Sequence, residues 1–196
     1  MVQVLAAQTT VVAVVAPEGN EPLARVRAAN VRVLVSGEEA PAFERATRAW
    51  EEARRTAAPY LVHDADPLGW VVEAWTRLFD GNGAVGELEV AVSETLARWR
   101  ARSLDLPDYF LLVEPEQLPE TKRHWFLGVL GSAAPRRVVA GRPSSPLVDH
   151  LPELRPGPWW PALDRLLAGI DRVVPDQAGR LAAEPASAGR SGGVLR

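Results

Sequence analysis

Cysteine is absent from this 196-residue chain, and lysine nearly so, Lys122 being its single example. Without thiols there is no disulfide, no thiolate nucleophile, no iron–sulfur cluster and no zinc ribbon, a composition that fits a reducing compartment. Long hydrophobic runs are missing too. The apolar start from Val2 to Ala16 is broken by Gln3, Gln8, Thr9 and Thr10 and has no basic residue ahead of it, so it lacks the pattern of a signal peptide. It is also shorter than the roughly 20 residues that a spanning helix needs. These absences lead us to expect a cytoplasmic protein with no membrane partner.

Charge of one sign is likewise scarce. The formal net charge is −3 and the basic residues are spread along the chain, so no broad electrostatic footprint for nucleic acid or anionic lipid is expected. The densest basic cluster, Arg98, Arg100 and Arg102, suits the C-terminal end of a helix, where cations offset the macrodipole. Arginine, alanine, glycine and proline all have GC-rich codons, and their abundance points to a high-GC bacterial coding sequence.

What remains is ordinary globular material, 47% hydrophobic and 24% charged, in a length that makes one domain the natural count. A chain of this size buries roughly 70% of the surface its unfolded form exposes, enough for a core without staples. Three short runs are continuously apolar: Thr10 to Ala16, Val31 to Val35 and Tyr109 to Val113. Runs of this length mark strands buried on both faces. Tyr60 to His63 and Arg137 to Ala140 are weaker strands, and Val2 to Ala6 is a candidate edge strand.

Between these runs the apolar period becomes helical. Leu68, Val71, Val72, Trp75, Leu78 and Phe79 fall on one helical face, and a second stripe follows from about Glu87 to Arg102. Asp80-Gly81-Asn82-Gly83 separates them, so the two helices form a hairpin. Further helices are expected from Phe43 to Ala57, from Pro119 to Leu130 with Pro119 at N1, and from Pro158 or Pro161 to Val174. Alternating strands and helices imply a three-layer α/β fold, a mostly parallel sheet of about five strands with helices on both faces. Residues 1–174 then form a single domain in which the Pro-rich stretch 142–161 is a surface connection. Residues 175–196, poor in apolar side chains, form a flexible tail.

In such sheets ligands bind at the carboxyl ends of the strands. In chain order His63-Asp64-Ala65-Asp66 follows the third strand and Glu114-Pro115-Glu116 the fourth. If those strands are neighbours, Asp64, Asp66, Glu114 and Glu116 form an oxygen-rich set suited to Mg²⁺ or Mn²⁺, with His63, Asp64 and Asp66 as catalytic candidates. The competing account is structural: Asp66 precedes Pro67 and a helix, as an N-cap does, and Glu114 stands near the start of the next helix. Both readings stay open at this point.

The segments Thr10 to Pro22, Val31 to Gly37 and Tyr60 to Pro67, together about a third of the chain, loosely resemble the nucleotide-binding half of GT-A glycosyltransferases. The resemblance implies that Asp64-Ala65-Asp66 is a DxD holding a metal and a sugar nucleotide. It departs from the family pattern where Ser36 stands in place of an aspartate, and the spacing to the DxD is short. Gly81 to Gly86 has the letters of a dinucleotide fingerprint but lies between two helices, so it reads as a turn. No Gly-rich phosphate loop follows a strand, and no serine sits in a nucleophile elbow. Neither His124, within a helical pattern, nor His150, in the Pro-rich loop, has a partner visible in the sequence.

Tryptophan is the last signal. Trp50, Trp75, Trp99 and Trp125 fall on helical apolar stripes and are expected in the core. Trp70 lies off its stripe and Trp159 and Trp160 are adjacent, which makes these three candidates for a protein interface. The sequence therefore supports two functions. One is an accessory protein that acts by binding a partner, itself included as a homo-oligomer. The other is a divalent-metal enzyme acting on a phosphorylated or nucleotide-sugar substrate.

Overall fold

The computed structural model describes residues 9–17, 21–35, 40–141, 145–157 and 160–175. The candidate strand at Val2 to Ala6, Ser36, Trp159 and the tail beyond Pro175 lie outside them. Five strands form one sheet: β1 (Thr10–Val15), β2 (Val31–Leu34), β3 (Tyr60–His63), β4 (Tyr109–Leu112) and β5 (Val138–Ala140). Their order is β2-β3-β1-β4-β5 and every pairing is parallel, with Thr10 opposite Tyr60, Val12 opposite Tyr109 and Phe110 opposite Val138. The fold is thus the three-layer α/β arrangement that the alternation of strands and helices implies.

Strand order decides where the helices go. The links β2 to β3, β3 to β4 and β4 to β5 all move across the sheet in one direction, whereas β1 to β2 moves back. Right-handed crossovers must therefore place the helices of the first three links on one face and that of the fourth on the other. One face accordingly packs α2 (Ala42–Arg55), α3 (Gly69–Phe79), α4 (Val85–Arg100) and the helix over residues 120–133. From these links the other receives, among the described residues, α1 (Glu21–Ala24), through Leu23.

The thin face is completed from the C-terminal side. Residues 145–157 are a covering layer as well as a connection, because two 3-10 turns, Leu147–Asp149 and Leu151–Glu153, bring Leu147, Leu151 and Leu154 onto Val12, Val14 and Leu111. Asp108 clamps this layer to the sheet: one carboxylate oxygen accepts the Val11 N–H and the other the Gly157 N–H, both at 2.8 Å.

The crowded face holds the larger core, in which Trp75 stacks obliquely on Trp125 at 5.4 Å and Phe110 meets Phe126 at 5.5 Å. The helix over 120–133 widens into a π segment at Trp125–Leu130, flanked by α5 (Glu120–His124) and α6 (Gly131–Ala133), with Pro119 as N-cap rather than N1. The α3–α4 hairpin forms as the periodicity implies, Gly81 supplying a left-handed turn at φ +78°. The terminal helix is shorter than expected. Gly169, at φ +68°, ends α7 (Leu163–Leu167) and leaves a 3-10 turn at Ile170–Arg172. Among the described residues no helix is long and apolar enough to cross a membrane.

Candidate functional site at the carboxyl edge

Because the link after β1 crosses one face and those after β3 and β4 the other, the topology sets a switch-point crevice, where ligands of parallel sheets bind, on each side of β1; the one toward β3 carries the acidic segment. Asp64 and Asp66 stand on one side of it and the end of β1, Ala16 and Pro17, on the other. The N-terminal ends of α2 and α3, fourteen and eleven residues long, open at this same edge and contribute positive dipole ends.

Asp66 organises the turn into α3. Its Oδ1 accepts the Leu68 N–H at 2.8 Å and its carbonyl accepts the Gly69 N–H at 3.1 Å, so it caps the turn two residues ahead of the helix. Burial pushes its carboxyl up to about 6, against the opposing effects of the Leu68 N–H, the Lys122 ammonium and the Arg45 guanidinium. Lys122 comes from the first turn of α5 and Arg45 from the first turn of α2. A hydrogen bond of 2.5 Å from Thr121 Oγ1 to Asp80 Oδ1 ties the first of these turns to the end of α3.

His63 takes no place in this crevice. It lies on the crowded face under α2, only 3% exposed, beside a cavity of about 30 Å³ shared with Ala46, Ala49 and Leu106. Burial lowers its pKa to about 4, with the Ala65 backbone hydrogen bond opposing, so the imidazole is neutral at physiological pH. The side chain is thus buried within the crowded face and set apart from Asp64 and Asp66.

The four-carboxylate set needs correction. Its premise was that β3 and β4 are neighbours, but β1 lies between them, so Asp64 and Asp66 are on one side of β1 and Glu114 and Glu116 on the other. Among the described residues no three His, Asp or Glu side chains gather as a metal-ligand group. Glu114 and Glu116 are exposed, and Glu114 adopts a left-handed conformation (φ 49°) as it caps the short turn Pro115–Gln117. Non-glycine residues in that region carry backbone strain and cluster at functional edges.

The tryptophans divide differently from their sequence pattern. Trp75 and Trp125 are fully buried, but Trp50 and Trp99 are half-buried at the opposite, amino end of the sheet. Trp160 packs inward: its indole N–H donates to the Pro107 carbonyl at 2.7 Å and its ring meets Phe110 edge-on at 5.8 Å. Trp70 is half-buried against Phe43 at 5.2 Å and borders a groove between α3 and α4.

Arg45 and Lys122 were not found by sequence reasoning. Both occupy the first turn of a helix that follows a strand, and in a parallel sheet that position faces the ligand edge. Comparison with known proteins finds no matching family model, curated protein or solved structure, so the glycosyltransferase-like features of residues 10–67 rest on those residues alone.

Proposed function

We propose that this cytoplasmic protein binds a small anionic ligand, a phosphorylated molecule in the first instance, between the carboxyl ends of β1 and β3. The observation carrying this reading is the placement of Asp66, which holds the turn into α3 at a switch point of a parallel sheet with the charges of Lys122 and Arg45 acting on it; burial pushes its carboxyl up to about 6. Lys122, Arg45 and the N-terminal ends of α2 and α3 attract the anion. Protonated Asp66 donates a hydrogen bond to it, and a second negative charge next to Asp66 raises its pKa further. Ligand binding is therefore coupled to proton uptake. A divalent ion enters with the ligand's phosphates rather than waiting in a preformed cage.

Thermal-shift measurements with pyrophosphate and nucleoside diphosphates, with and without Mg²⁺, test the proposal. Sulfate, which does not titrate in the range used, isolates the contribution of the protein. Stabilisation that grows as pH falls from 7.5 to 6 and is lost in Lys122→Ala and Arg45→Ala is expected. No shift with any of these anions at millimolar concentration removes the reading.

A second reading, a protein-interaction role, is favoured by the α3–α4 groove. Its volume is about 410 Å³; Trp70, Ala74, Gly86 and Val90 line it, with Glu73, Arg77 and Glu87 as a charged rim. Val85 and Val90 are 47% and 53% exposed beside it. An apolar floor with a rim of both signs suits a second copy related by a two-fold axis. Sedimentation of wild type and Val90→Glu decides: a dimer that the substitution dissociates supports this reading, and a wild-type monomer at tens of micromolar ends it.

A further inference from the structure

At the amino end of the sheet, away from the crevice, the C-terminal halves of α2 and α4 and the loop into β4 enclose a cleft of about 510 Å³, within the range of small-molecule sites. Trp50 and Trp99 form its aromatic surface, and Arg54, Arg100 and Arg102 its charged one, with Asp105 as the acidic lining residue. The cleft adjoins a second hollow of about 500 Å³ that shares Trp50, Arg54, Trp99 and Asp105 and continues past Trp160.

Arg54 and Arg100 stand in the last turns of α2 and α4, where cations offset the helix dipoles, but that role needs neither the indoles between them nor Arg102. In the last turn of α4, Arg98 lies over the Phe43 ring at 4.1 Å, away from the cleft, and is the cation engaged with the fold. Arg102 stands beyond the helix end in a left-handed conformation (φ 56°) that a side chain adopts at a cost. The Trp50 indole N–H donates to its carbonyl at 3.2 Å, which fixes the indole and the strained turn together. Arg54 lies 5.9 Å from the Trp50 ring. Among the described residues none of Arg54, Arg100 and Arg102 forms an ion pair with a carboxylate, and all three are exposed.

Two half-buried indoles beside three arginines without acidic partners match a ligand with a flat π-surface and a phosphate. We infer that this cleft binds a nucleotide unit, its base against Trp50 and Trp99 and its phosphate on Arg54, Arg100 and Arg102. Base–indole stacking tolerates every base, and arginine reads phosphate by its planar fork of donors. The low net charge of the chain speaks against a broad nucleic-acid footprint, but this recognition is local and needs no such footprint. It is independent of the anion site at the carboxyl edge.

The source of the nucleotide is either a free mononucleotide or a unit of a single strand, and one experiment with two arms separates them. AMP is titrated by calorimetry, and a fluorescein-labelled decathymidylate by anisotropy, into the full-length protein at 50 and 200 mM salt. Binding in at least one arm is expected. It should weaken tenfold or more in Arg100→Glu/Arg102→Glu, with a shallower salt dependence, and severalfold in Trp99→Leu, while Trp99→Phe retains most of it. Because the carboxyl edge is proposed to take phosphate as well, both arms are run in a Lys122→Ala background, and the effect of the arginine and tryptophan substitutions is read there. AMP binding assigns the cleft to free nucleotide and binding of the oligonucleotide alone assigns it to a strand; either supports the site. No binding in both arms at millimolar AMP and tens of micromolar protein overturns it. So does binding that the arginine and tryptophan substitutions leave intact in variants with wild-type circular dichroism.

Discussion

Replacing Asp66 by asparagine should stabilise the protein at neutral pH. Burial raises this carboxyl from 3.8 to about 6, so above pH 6 the folded chain holds an ionised group that its surroundings disfavour. A folded pKa above the unfolded one means that stability is greatest with the proton bound, below about pH 4, and falls as pH rises through 6. Converting the shift at 1.36 kcal/mol per pH unit puts the cost of ionisation at roughly 2–3 kcal/mol. Asparagine keeps the acceptor for the Leu68 N–H and carries no charge, so Asp66→Asn should gain that amount at pH 7.5. For a domain of this size the gain is a rise in Tm of roughly 5–10 °C.

His63 supplies an internal check of opposite sign. Its folded pKa of about 4 lies below the ordinary 6.5, so its contribution is complete above pH 6.5 and is lost as pH falls towards 4. The lost amount, roughly 3 kcal/mol, is close to what Asp66 regains over nearly the same interval. Asp105 and Asp108, also raised by burial, titrate in both proteins, so the difference is the check: the advantage of Asp66→Asn over wild type in urea denaturation should shrink steadily as pH falls from 6.5 to 4. A variant less stable than wild type at pH 7.5, or a gap that does not close towards pH 4, would refute the assignment of the raised carboxyl to burial.

Three further outcomes follow from the packing. Asp108→Ala strands the Val11 and Gly157 N–H groups and should cost roughly 2–4 kcal/mol in urea denaturation, with Asp108→Asn costing less. Gly83→Ala puts a Cβ 2.9 Å from Arg77 Cβ and 3.0 Å from the Leu78 backbone nitrogen, so Tm should fall by an amount equivalent to roughly 1–3 kcal/mol. Trp160→Phe removes the bond to the Pro107 carbonyl but keeps an aromatic ring against Phe110; a loss of about 1 kcal/mol is expected, measured by denaturant titration.

Much of the fold was legible because its signals are local. The doubly buried runs at β1 and β4 and the stripe Leu68 to Phe79 needed no tertiary information. VRVLV looked like β1 but became an edge strand, so Leu34 is only half-buried and Val35 is exposed at 45%. Edge and centre differ in neighbours and not in sequence pattern. Strand order was the main gap, and the site depended on it: with β1 inserted between β3 and β4, the acidic segments after those strands cannot converge. The amphipathic stripe placed Trp50 and Trp99 inward, yet both stand where their helices end at the amino edge, and a stripe says nothing about how far the neighbouring layer extends. Asp-Pro announced a helix start with Asp66 as N-cap and Pro67 at N1, but α3 begins two residues later, with Leu68 as N-cap and Asp66 holding the turn before it. The raised pKa of Asp66 and its two cations were not readable, since the cations come from α2 and α5, more than twenty residues away on either side.

The most direct test of a proton-coupled anion site is the titration of Asp66 itself. Carbon-detected NMR of its carboxyl should give a midpoint near 6 in the free protein, moving upward by at least half a pH unit with saturating pyrophosphate; in Lys122→Ala, whose free midpoint is higher because the ammonium is gone, the same pyrophosphate concentration should cause no further movement. A midpoint near 4 in the free protein, or one that pyrophosphate leaves in place, would contradict the account.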